Sequence, residues 1–191
     1  MRMTKIVDLK HKIADNILKI KLSIYESIKL NNELEELVRK VDDERGYISS
    51  YKDNVELFIY STEKALKSRL NAAISRYKTI DEIYNSNIKL DNQVRSDIAK
   101  YNKACLEKHI EPAQLGKWLT DTTSDMTSIY TDATNNYVKF VQLHKSAMLL
   151  CESRLHENED NIEESAKKIG VNNLYNEIES ETGTTDSADF E

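Results

Sequence analysis

"VELFIYSTEKALKSRLNAAISRYKTIDEIYNSNIKLDNQVRSDIAKYNKAC", residues 55–105, decides the fold. Its apolar stripe is Val55, Ile59, Thr62, Leu66, Leu70, Ala73, Tyr77, Ile80, Tyr84, Ile88, Asp91, Val94, Ile98, Tyr101 and Cys105. Fourteen steps over 50 residues average about 3.6, the α-helical period. No glycine or proline interrupts the run. A helix of this length is a rod, and a rod with one apolar face needs partners along its whole length.

The flanking segments supply them. Upstream, Ile6, Leu9, Ile13, Ile17, Ile20, Ile24, Ile28, Leu34, Val38 and Val41 form a second stripe. It predicts a helix over about 4–44, with Gly46 as its left-handed end. Ser50 and Asp53, spaced like a capping box, open the middle helix, which runs to about 109. Thr79 and Glu82 are the one place where a separate helix could start; the stripe holds its phase there, which favours one helix. Downstream, Pro112 suits a first helical turn. A third stripe follows through Leu115, Trp118, Thr122, Met126, Ile129, Ala133, Tyr137, Phe140, His144, Ala147, Cys151, Leu155, Asn158, Ile162, Ala166 and Ile169. The helix over 112–169 contains "TDTTSDMTSIYTDATNN", weak by composition but in phase, and ends at Lys167, Lys168 and Gly170. Residues 171–191 read as a short helix and an acidic disordered tail. The expected fold is all-α: three long antiparallel helices in an elongated, coiled-coil-like bundle. Trp118 is expected to seal the hairpin tip, or to serve there as a docking point.

Charge is segmented. The chain's −6 resolves into +4 for residues 1–30, −5 for 31–63, +5 for 64–110, −1 for 111–151 and −9 for 152–191. Two cysteines provide no disulfide framework, which points to a reducing compartment. No signal-peptide pattern opens the chain and no segment approaches the roughly 20 apolar residues of a membrane span. A cytoplasmic location, at most peripheral to a membrane, is expected.

Catalysis finds little support. No two of the four glycines lie within ten residues of each other, so no glycine-rich phosphate loop exists. Cys105 and His109 share a helix face, but a zinc site needs about two more ligands. The paired Glu-x-x-His units of a di-iron bundle are missing. No enzyme activity, metal, cofactor or small-molecule substrate is expected. Nucleic acid is disfavoured by the chain's acidity and by the absence of aromatics interleaved with its basic residues.

The basic residues of the middle helix carry the functional signal. Lys67, Lys78, Lys89 and Lys100 recur every eleven residues, three turns apart, so they share one side. Lys64, Arg69, Arg76 and Lys103 lie on or beside that line. Near an anionic membrane each contributes about 1 kcal/mol. Asn31, Asp91 and His144, polar residues on apolar stripes, are candidates for fixing register or partner choice.

The layout resembles a BAR domain of the sorting-nexin type. The local likeness lies in "VELFIYSTEKALKSRLNAAISRY", residues 55–77, through Tyr60, Lys64, Leu66, Arg69 and Tyr77. "NYVKFVQLHKSAMLLCESRL", residues 136–155, is similar in style to that family's last helix. The resemblance implies a homodimer whose curved face lies on anionic lipid. The alternative expectation is a helical scaffold, tether or assembly-factor subunit that binds helical partners without membrane contact. The lysines discriminate: Lys67, Lys78 and Lys89 pointing away from the dimer interface and together onto one concave face favour the first, and pairing with acids of neighbouring helices favours the second.

Overall fold

The computed structural model describes residues 2–50 and 55–168. Four helices lie within them: α1 (Arg2–Ser50), α2 (Val55–Glu107), α3 (Leu115–Thr123) and α4 (Met126–Lys168). α3 and α4 follow one another as the third arm, so the chain runs up, down and up again. Expectations for the tail after Lys168, and for Asp53, lie outside the described residues.

The direction of each arm is fixed by side-chain pairs. Between α1 and α2, Lys12 meets Asp97, Ser23 meets Asn87, Glu33 meets Arg76 and Glu44 meets Arg69. Positions rise in one helix as they fall in the other, so the two are antiparallel. α2 and α4 are antiparallel by the same test, through Leu66 with His144, Tyr77 with Thr134 and Asp81 with Tyr130. α1 and α4 are then parallel, bridged by Asn31 and Asn136.

The middle helix is continuous from Val55 to Glu107, including the stretch around Thr79, whose hydroxyl bonds back to the Ser75 carbonyl at 3.0 Å. α1 is longer than its stripe suggests, 49 residues or about 74 Å. It passes through Gly46 because Ile48, 1% exposed, packs into the core with Ile59. Burying an isoleucine contributes about 1.5–3 kcal/mol, which outweighs the roughly 1 kcal/mol that a helical glycine costs. Ser50 therefore ends α1 instead of capping α2, and its hydroxyl bonds to the Gly46 carbonyl at 3.1 Å.

The core has two halves. Near the α2–α3 turn, Ile13, Ile17, Ile20 and Ile24 pack with Val94, Ile98, Tyr101 and Cys105, closed by Leu115 and Leu119. In the other half, Leu34, Val38, Val41 and Ile48 pack with Ile59, Leu66, Ala73, Ile80, Ala133, Phe140, Ala147 and Cys151. A polar girdle lies between them. Ser27, Asn31 and Asn87 are buried there, Ser23 donates to Asn87 at 2.8 Å, and Asn136 donates to Asn31 at 2.9 Å. Here the α1 stripe departs from expectation: Ser27 is buried and Ile28 is exposed. The girdle's hydrogen bonds satisfy groups that would otherwise cost free energy on burial.

Beside the girdle, four tyrosines interleave from α2 and α4 in the order Tyr137, Tyr77, Tyr130, Tyr84. Ring centroids lie 4.5, 6.4 and 4.0 Å apart along the stack. Tyr130 donates to Asp81 at 2.5 Å, and this bond, with that to Tyr77 and its burial, holds its hydroxyl well above the ordinary phenol range. Seven-residue spacing within each pair, 77 to 84 and 130 to 137, brings the rings to the same helix–helix seam.

The turn into the third arm ends α2 sooner than the sequence suggests. His109 takes the left-handed conformation, φ 57°. The Ile110 amide bonds to the Cys105 carbonyl at 2.9 Å and the His109 amide to Leu106 at 3.1 Å. This is a Schellman ending with histidine in the position usually held by glycine. The Tyr101 hydroxyl accepts from the Ala113 amide at 3.1 Å. The loop thus has its own partners, and helix begins at Leu115, three residues after Pro112.

The third arm is interrupted at Ser124 and Asp125. Thr120, Thr122, Thr123 and Ser124 turn their hydroxyls onto carbonyls three or four residues back, at 2.8–3.1 Å. Such bonds loosen the backbone ladder and bend helices. The interruption is short, since the Ile129 amide already bonds to Asp125 at 2.9 Å.

Candidate anionic-surface face

The α2 core stripe fixes the opposite side of the helix as the outer face. Tyr60, Lys64, Lys67, Asn71, Ile74 and Lys78 follow one another there in steps of four and three, and all are exposed. Lys89, Lys100 and Lys103 continue the line. From Leu57 to Lys103 the exposed basic residues are Lys64, Lys67, Lys78, Lys89, Arg95, Lys100 and Lys103, against one exposed acid, Glu82. At 1.5 Å per residue the row from Lys64 to Lys103 is about 58 Å long.

Ion pairing separates these residues into two groups. Lys64, Lys67, Lys78, Lys89 and Lys103 form no salt bridge among the described residues. Lys100 lies 3.7 Å from the buried Asp97, which Lys12 approaches from α1, and Arg95 pairs with Asp91 at 3.0 Å.

Arg69 and Arg76 leave the candidate set. Arg69 donates to Glu44 at 2.7 Å and Arg76 to Glu33 at 3.0 Å, both across the α1–α2 seam. Each is three residues beyond a core position, Leu66 and Ala73, so each flanks the stripe instead of opposing it. In a helical bundle such flanking positions hold interhelical ion pairs. That spacing was the signal in the sequence that separated them from the lysines.

Trp118 is also repositioned. Leu115 and Leu119 close the core at the turn, while Trp118 is 37% exposed. It borders a groove of about 250 Å³ with Tyr25, Ile28, Asp121, Asp125 and Ile129. The indole lies on the α1 side of the third arm, not over the tip.

The remaining candidates read as structural. His144 bonds to the Leu66 carbonyl at 3.1 Å and stacks on Phe140. Asp91 holds Arg95. Cys105 is buried and His109 exposed, and no cluster of three or more His, Cys, Asp or Glu suited to a metal exists among the described residues. Both thiols are free, and burial, followed by the charges of Glu63, Glu152 and Glu44, pushes Cys151 up to about 11. No helix among the described residues is long and apolar enough to cross a membrane.

The fold and this face together define a class: an elongated all-α bundle with a predominantly basic outer row in which Glu82 is the one exposed acid. No protein-family description, curated protein or solved structure matches the chain.

Proposed function

We propose that the protein is a non-catalytic helical module that lies on anionic membrane surfaces through the outer face of α2. The observation that carries the reading is the row of five lysines on one helix face that form no salt bridge among the described residues. Tyr60 and Ile74 stand exposed among them, so the face offers apolar contact as well as charge. Lysine stems lie along such groups while their ammonium heads reach phosphate. A membrane interface satisfies both features, which favours a lipid surface over a soluble polyanion. The sorting-nexin-like layout belongs to this proposal: a dimeric module that shapes or follows membranes from the cytoplasmic side.

Co-sedimentation with vesicles tests it. The full chain is expected to pellet with phosphatidylserine-containing vesicles and to stay in solution with phosphatidylcholine alone. Reversing Lys67 and Lys78 to Glu removes two attractions and adds two repulsions, about 4 kcal/mol in all, or roughly a thousandfold in affinity. Binding to neutral and anionic vesicles alike contradicts the reading.

A second reading, a helical scaffold or tether within a protein assembly, draws on α4. Val138, Val141 and Leu149 are 40–56% exposed along one line of that helix. Exposed apolar residues in series suit a helical partner. No vesicle binding by the folded wild type at low salt would move the account to this reading.

A further inference from the structure

Among the described residues nothing covers the outer face of α1, which carries an apolar stripe in its first half. Leu18, Leu22 and Tyr25 are 46%, 58% and 57% exposed, at steps of four and three. Ile28 and Trp118, each 37% exposed, border the stripe. Four exposed charges accompany it, Asp15, Lys19, Glu26 and Lys29, and none forms a salt bridge among the described residues.

Their order is the informative feature. From N- to C-terminus the signs run minus, plus, minus, plus. Asp15 lies seven residues before Leu22 and Lys29 seven after. Lys19 lies three before and Glu26 four after. Turned end for end about Leu22, the stripe therefore meets its own complement: Asp15 faces Lys29, Lys19 faces Glu26 and Leu18 faces Tyr25. A parallel alignment in register sets Asp15 on Asp15 and Lys19 on Lys19, which is repulsive. Alternating charges beside an apolar stripe select orientation in this way.

We infer that this face docks a second copy of the chain, antiparallel, with a twofold axis passing near Leu22. The contact is isologous, so each charge pair occurs twice. The axis stands at right angles to α1 and lies in the interface. Rotation about it leaves each α2 on the same side of the dimer. Both lysine rows then face one surface, a consequence that rests on the proposed function, whereas the dimer itself does not.

The mass of the full chain, measured by light scattering without lipid, separates the two. Wild type is expected at twice the chain mass. Leu22→Asp, at an exposed position that leaves the core intact, is expected to weaken association at least tenfold with unchanged helical circular dichroism. Lys29→Asp weakens it too, and Asp15→Lys added to Lys29→Asp restores it. Under mild oxidation Leu22→Cys forms a cross-linked dimer, since the two copies of residue 22 flank the axis, and Leu18→Cys does not. The native cysteines are buried and do not confuse this result. A monomeric wild type overturns the inference, as does a dimer indifferent to Leu22→Asp. Cross-linking through residue 18 as readily as 22 overturns the antiparallel register.

Discussion

His109 holds a left-handed conformation that costs a residue with a Cβ about 1 kcal/mol relative to glycine. The Schellman bonds around it force that conformation whatever the side chain. His109→Gly is therefore expected to stabilise the protein by about 1 kcal/mol in urea unfolding. Gly46 is the converse case. It lies inside α1, and a Cβ built there meets nothing within 4 Å. Gly46→Ala is expected to gain about 0.5–1 kcal/mol, and a loss would mean that α1 does not continue through residue 46. Cys151 sets a pH dependence. Its folded thiol titrates near 11, above the ordinary 9.0, so the unfolded chain loses this proton first. The contribution is fully present below pH 9 and is lost as pH rises towards 11. The decline of stability across that window is expected to be shallower in Cys151→Ala than in wild type. These three features differ in how far the sequence announced them. Gly46 looked like a helix end because glycine is common there, and only the burial of Ile48 overrides it. His109 carried no signal, since its conformation follows from where α2 must stop.

At the scale of helices, periodicity carried most of the information. α2 keeps its stripe from Ile59 to Cys105, with Leu70, Tyr77, Tyr84, Ile88 and Asp91 half-buried and the rest buried. What periodicity did not reveal is where one stripe yields to its neighbour. Ser27 is buried in place of Ile28 because the helices meet at the polar girdle, a property of three helices together. Leu119 closes the turn in place of Trp118 because α3 starts at Leu115, so its inward face is set by the loop. The Ser/Thr-rich segment was legible as weak, and its hydroxyls give the cause of the interruption. The girdle gives a testable expectation. Asn31→Ala removes the acceptor of the Asn136 amide and is expected to cost about 1–3 kcal/mol. A double-mutant cycle with Asn136→Ala should recover a coupling of at least 0.5 kcal/mol, as residues in contact do. Strict additivity would show that the bond contributes nothing.

For the whole molecule, the three-arm layout follows from long helices joined by short connections, which must run antiparallel. The site was partly legible on the same grounds. The eleven-residue lysine repeat was visible because equal spacing on one helix needs no partner to interpret. For Arg69 and Arg76 the spacing from Leu66 and Ala73 marked a flanking position, but their partners Glu44 and Glu33 on α1 are distant in sequence and adjacent in space. The result is a division of labour along α2: arginines at the seam bind the bundle together, and lysines on the outer face remain available. The proposed attraction of those lysines to an anionic surface would be screened by salt, with a Debye length of about 10 Å at 0.1 M and about 3 Å at 1 M. The most direct measurement is a salt titration of binding to anionic vesicles by wild type and by a chain with Lys64, Lys67, Lys78 and Lys89 all changed to Glu. Wild type should bind at low salt and release as salt rises, and the variant should remain in solution at every salt concentration while keeping its helical circular dichroism. No binding by wild type at low salt, or equal binding by the two chains, would contradict the account.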